Sequence, residues 1–223
     1  MSRTSRTGLG PVPRALIMVV AGCLAFAWWQ SRTPQIVPAT DALGQPIACQ
    51  PPPIGVAPMP VQLDSLLERR VFQLGALQAK VRAGFAVEAT VLGTERYRTG
   101  PEAEVSPLDL ALGWGPMADP SVYGALDISQ SGRWYYYRWG PGDPPIPAEA
   151  IGDHSSNMHM IPSTPAIAET LLDVERGQKV RLLGWLVDVE YPNGGRWTTS
   201  LSRHDRGGGA CEIVYVCEAR VSP

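Results

Sequence analysis

Apolar and polar positions divide this chain into one uninterrupted apolar run near its start, Ala15 to Trp29, and a later series of short segments in which the two alternate. From Phe85 to Thr94 the period is two, which predicts a half-buried strand. Val180–Val189 reads as a further strand, and the turn Pro192-Asn-Gly-Gly195 between it and Arg196–Leu201 predicts a hairpin; Cys211 to Val221 makes a final strand. Gly132 to Trp139 is a strand with large side chains on both faces, Trp134, Tyr136 and Arg138 on one and Arg133, Tyr135, Tyr137 and Trp139 on the other. One face is then expected against a core, while the other lines a groove or lies beneath a loop.

Helical signals are fewer. Thr164 followed by Pro165, with Ile167, Leu171, Leu172 and Val174 spaced for one face and Gly177 at the end, predicts a capped helix. Ser106-Pro107 ahead of Leu108–Leu112 places a cap and a first-turn proline together and predicts a short helix. Pro147–Asp153 has room for one or two helical turns. Asp64–Arg70 reads as a helix start and Val71–Leu74 equally as a strand, and that choice stays open. The expected fold is α+β, mainly β: a small bent barrel of the OB or SH3-like kind with a few short helices, behind an N-terminal transmembrane helix. A sandwich-like α+β fold is the alternative.

The apolar run covers about 22 Å as a helix, short of a ~30 Å hydrocarbon core unless its flanks snorkel. Arg3, Arg6 and Arg14 precede it and Trp28 and Trp29 close it, which sets the N-terminus in the cytoplasm and the rest of the chain outside. An uncleaved signal anchor is the leading reading. A lipoprotein signal with Cys23 acylated, after Val20-Ala-Gly-Cys23, and a cleaved secretory signal compete with it, and all three export the same domain. The expected organisation is a cytoplasmic segment 1–14, an anchor 15–29, a proline-rich linker 30–62 and an exported β-rich domain 63–223. The linker carries eight prolines between Ser31 and Gln62 and reads as a semi-rigid spacer.

Charge removes one function class. Beyond the run lie 16 basic and 21 acidic residues, a formal charge of −5, with no basic stripe to engage phosphates, so nucleic acid is not an expected partner. Cys49, Cys211 and Cys217 fall in the exported part. A straight strand holds Cys211 and Cys217 about 20 Å apart, too far to bridge. Buried free thiols are the default, and a Cys49 bridge to one of the two is the alternative.

Candidate chemistry concentrates between Asp127 and Pro162, which holds three of seven tyrosines, two of seven tryptophans and two of three histidines. His154 and His159, with His204-Asp205 and with Ser155 or Ser156, supply donors for a metal or a nucleophile–base pair. A metal site needs three or four convergent donors, and no HExxH, GxSxG, CxxC or phosphate-loop spacing is present. His154 and Asn157 therefore read first as groups that cap or bridge loop backbone, and Met158, Met160 and Ile161 as an irregular core segment. The candidate binding residues are Trp134, Tyr136, Trp139, His154, Asn157, His159, Arg203 and Asp205. No catalytic residue, metal ligand or cofactor is assigned.

The segments Ser106–Trp139, His154–Pro162 and Gly207–Val216 resemble a family of bacterial envelope proteins with a single N-terminal membrane anchor and no established activity. The resemblance implies one domain on the periplasmic side of the inner membrane and transfers no catalytic residue. Together these features predict a membrane-anchored module that binds an envelope protein or scaffolds an assembly, without catalysis. The alternatives are an envelope hydrolase or metal-dependent enzyme using His154 and His159, and a small-ligand or glycan-binding module stacking on Trp134, Tyr136 and Trp139.

Overall fold

The computed structural model describes residues 16–24, 36–64 and 70–223. The chain divides into two units, Met1–Gln35 and Ile36–Pro223. In the first, residues 16–24 form helix α1. Among the described residues no helix is long and apolar enough to cross a membrane. The expected cytoplasmic segment 1–14, and residues 15 and 25–29 of the expected anchor, lie outside the described residues.

The second unit is mainly β with few short helices, as the alternating pattern predicts. Its strands are β1 (Ala39–Thr40), β2 (Val61–Asp64), β3 (Val71–Leu74), β4 (Leu77–Arg96), β5 (Leu108–Gly113), β6 (Leu126–Ser131), β7 (Trp134–Trp139), β8 (Ser155–Pro162), β9 (Lys179–Glu190), β10 (Arg196–Trp197) and β11 (Glu212–Ser222). Helices α2 (Pro120–Tyr123), α3 (Ala148–Asp153) and α4 (Pro165–Leu172) punctuate them, and Thr164 caps α4 by accepting from the Ile167 N–H. One sheet runs β1-β3-β4-β5-β8-β11-β9-β10 with β2 added on β4, while β6 and β7 form a separate hairpin. β9 pairs with β4 as well as with β11, and every pair is antiparallel except β8 with β11.

Both faces of this sheet are buried. The inner face packs Phe85, Val87, Leu108, Leu110, Leu112, Met158, Met160, Leu182, Val214 and Val216 with Leu171 of α4. The outer face packs Leu77, Ala79, Val81, Trp185, Val187, Ile213 and Tyr215 together with Phe72 and Leu74 of the neighbouring β3. The pairing of β4 with β9 slips between Val81 and Ala83. The extra residue turns the odd-numbered side chains of β4 from the outer face to the inner one, which a regular strand cannot do.

Three expectations are corrected. The expected helix at Ser106–Leu112 is absent and Leu108–Gly113 is a strand: Leu108, Leu110 and Leu112 all face inward, whereas a helix would have swung Leu110 to the opposite side, so burial outweighs the cap signal. Residues 155–162 are a central strand rather than an irregular segment. Their period was hidden because Asn157 and His159, on the outward side, are buried as well. Arg133 is not on a strand face: with Gly132 it forms the two-residue turn of the β6–β7 hairpin, at φ of 70° and 59°.

Residues 30–35 of the proline-rich stretch expected to be a semi-rigid spacer lie outside the described residues, and the rest belongs to the compact unit from Ile36 onward. Ala39 is buried in the outer core with Val37, Ile47 and Cys49 beside it, Trp185 Nε1 donates to Gln50 O at 2.9 Å, and a disulfide joins Cys49 to Cys217. Prolines suit this covering segment because little of it pairs into the sheet.

Candidate functional site

The β5–β8 register sets Asp109 opposite His159 and Ala111 opposite Asn157. Because the leucines and methionines between them occupy the inner face, these polar residues point outward, toward the β6–β7 hairpin. Asp109 is fully buried. Its Oδ1 accepts from Arg133 Nη1 at 2.7 Å and lies 2.9 Å from His159 Nδ1, while Oδ2 accepts from Asn157 Nδ2 at 3.0 Å. Three donors on one buried carboxylate offset the loss of its hydration.

Arg133 reaches this carboxylate because it occupies the hairpin turn. Its Nη2 donates to Ser106 O at 2.8 Å, its guanidinium lies 3.7 Å above the Tyr97 ring, and its backbone N–H donates to the Tyr97 hydroxyl at 2.9 Å. Trp197 stacks on His159 at 4.7 Å, and Gln130 Nε2 donates to Asn157 Oδ1 at 2.7 Å. Burial and the Asp109 charge push the Tyr97 hydroxyl up to about 12, so it stays protonated. The guanidinium plugs the hairpin into the sheet and holds β7 in place.

The strand so held is aromatic on both sides. Tyr135 and Tyr137 are half-buried over Leu92, Ala111, Met117, Leu126 and Ile151, whereas Trp134, Tyr136 and Trp139 are 42%, 49% and 39% exposed. Between β7, the ends of β8 and β11, and the 202–207 loop lies a cavity of about 120 Å³. Trp114, Trp134, Tyr135 and Tyr137 form its aromatic side; Asn157, Arg203, Asp205 and Glu212 are among its polar groups. Glu212 shares the inner face of β11 with Val214 and is buried to 1% exposure. It pairs with Arg203 and accepts from the Ser156 hydroxyl. Burial pushes its carboxyl up to about 7 in spite of both partners. The Cys211 thiol beside it is pushed up to about 12, chiefly by burial, and so stays protonated.

Of the residues singled out from sequence, the fold brings Trp134, Asn157, Arg203 and Asp205 to this cavity and links His159 to Asn157 through Asp109. It does not bring the histidines together. His154 is half-buried with Nδ1 2.8 Å from Ala150 O; His159 is buried on Asp109; His204 is exposed beside Asp153. Among the described residues no group of three His, Cys, Asp or Glu side chains is placed to hold a metal. Sequence reasoning missed Asp109 and Glu212. The signal for the first was a lone carboxylate inside Leu-Asp-Leu-Ala-Leu, and for the second one inside Cys-Glu-Ile-Val-Tyr-Val. In each, a charge sits where an apolar strand offers it no hydration.

No protein-family model matches the chain, and neither a curated protein nor a solved structure matches it.

Proposed function

We propose that the chain is a membrane-anchored envelope protein that presents the β6–β7 hairpin to a protein partner and has no catalysis of its own. The observation that carries this reading is the exposure of Trp134, Tyr136 and Trp139 on a strand whose turn is locked by Arg133. Large rings already fixed in place offer contact area with little further ordering cost, which is the character of interface anchors. The pairings β4, β5, β8, β11, β9 and back to β4, with β8 and β11 parallel and α4 between β8 and β9, are read as a small five-stranded barrel of the OB type. A periplasmic-side location draws on the arginines before the apolar run and on the Cys49–Cys217 bridge, which suits an oxidising compartment.

The enzyme reading built on His154 and His159 has less behind it, since the two rings have separate partners. The test is affinity purification of the full-length protein from mildly solubilised native membranes, wild type against a Trp134→Ser, Tyr136→Ser, Trp139→Ser variant. One stoichiometric envelope protein that the variant loses is expected. Recovery of the wild-type protein alone would sink the reading.

A further inference from the structure

We propose that the cavity between β7 and the 202–207 loop binds a carboxylate borne on a flat or apolar body. The inference goes beyond partner docking: Tyr135 and Tyr137 of the cavity wall face away from Tyr136, and Trp134 alone is shared with the docking residues. It starts from hydrogen-bonding valences. The polar groups around the cavity are mostly spent: Asn157 is engaged by Gln130, Asp109 and Arg133, the Ser155 hydroxyl donates to Ile151 O, the Asp205 carboxylate accepts from Ser200, and Arg206 is held by Asp153. Among the described residues, three buried donor atoms of residues that line it have no hydrogen-bond partner, the indole Nε1 of Trp114 and both Nη atoms of Arg203, of which Nη1 is ion-paired with Glu212.

Buried donors without partners call for an acceptor. What the cavity lacks is therefore oxygen acceptors, and what it offers besides is a wall of rings. Arg203 already holds one carboxylate, that of Glu212, through Nη1, so its fork has a second position open to another. Glu212 itself is drawn toward its neutral form by burial and holds Arg203 less strongly than an ordinary carboxylate would. Trp134, Tyr135 and Tyr137 then cover an apolar body. A polyol, which needs as many acceptors as donors, fits this balance less well. The carboxylate comes either from a small organic acid or from the C-terminus of a peptide.

The test titrates the full-length protein with benzoate and with benzamide, which keeps the ring and removes the charge, and follows heat of binding and the tryptophan indole N–H resonances. Benzoate is expected to bind saturably at one site and to shift the Trp114 indole signal, with at least tenfold weaker binding of benzamide and of benzoate to Arg203→Gln. Should that variant fail to fold, Trp134→Ala alters only a half-exposed wall and is expected to weaken benzoate several-fold. A phenylalanine-terminated tripeptide, as free acid and as amide, distinguishes the source: tighter binding of the tripeptide acid than of benzoate assigns the site to peptide ends, and weaker binding to small acids. No saturable binding of either acid, or binding indifferent to loss of the carboxylate, overturns the proposal. Tyr136→Ser with Trp139→Ser is expected to leave benzoate binding unchanged while removing partner capture, so the two readings fail separately.

Discussion

Removing the Arg133 side chain isolates the feature on which the hairpin's rigidity depends. Arg133→Gly is the informative substitution, because glycine tolerates the residue's φ of 70° and the backbone is not placed under new strain. Deleting one partner of a buried ion pair costs about 3–5 kcal/mol, since it leaves the other charge uncompensated. Asp109 keeps His159 and Asn157 as donors, and relief of left-handed backbone recovers about 1 kcal/mol. A net loss of about 2–4 kcal/mol follows from these two opposing terms. Urea unfolding measures it, and hydrogen exchange locates it: amides of β6 and β7 should lose protection ahead of β4 and β9. Asp109→Asn combined with Arg133→Gly should cost well under the sum of the two, because the charge that needed compensation is gone. A loss below about 1 kcal/mol, well short of the buried-pair range, with unchanged exchange in the hairpin would refute the plug.

Other outcomes follow from the same contacts. Replacing Cys49 and Cys217 by serine opens a 168-residue separation, and the loop-entropy model puts the loss at about 5 kcal/mol, read as a lowered urea midpoint. Glu212 has a folded pKa of about 7 against an ordinary 4.5, so the folded state holds its proton more tightly. Its contribution is full below the lower value and is lost as pH rises through the higher one, on the order of 3 kcal/mol. Melting temperature should therefore fall between about pH 5 and 8, and Glu212→Gln should flatten that fall. A β-carbon at Gly184 would stand 2.2 Å from the Tyr215 carbonyl oxygen, a backbone atom that cannot turn aside. Gly184→Ala should thus lower stability by about 2 kcal/mol or more in thermal unfolding.

The elements legible in the sequence were those with one wet face or one capping or turn signal. α4 shows through Thr164, Pro165 and Gly177, and the exposed side of β7 through Trp134 and Tyr136 standing on one face; β9, buried on both faces from Leu182 to Val187, shows through the Asn193-Gly194 turn that follows it. β5 and β8 were misread because both their faces are buried, which removes the polar half of the period-two signal and leaves Ser106-Pro107 to speak for a helix. The candidate site suffered from the same cause. Asn157, Arg203 and Asp205 stood out by chemistry, but Asp109 and Glu212 look like ordinary strand residues until the register sets a histidine opposite the first and an arginine against the second. The covering role of residues 36–62 depends on Cys49 choosing Cys217 and on Trp185 finding Gln50, pairings 168 and 135 residues apart that local pattern does not carry.

Docking through the exposed face of β7 is the central claim, and site-directed photo-cross-linking in native membranes tests it most directly. A photoreactive side chain is placed at Tyr136 of the full-length protein, and for comparison at Arg181, an exposed position on β9. The account predicts one discrete heterologous adduct from position 136, lost when Trp134 and Trp139 are changed to serine, and none from position 181. No adduct from 136, or equal adducts from both positions, would contradict it.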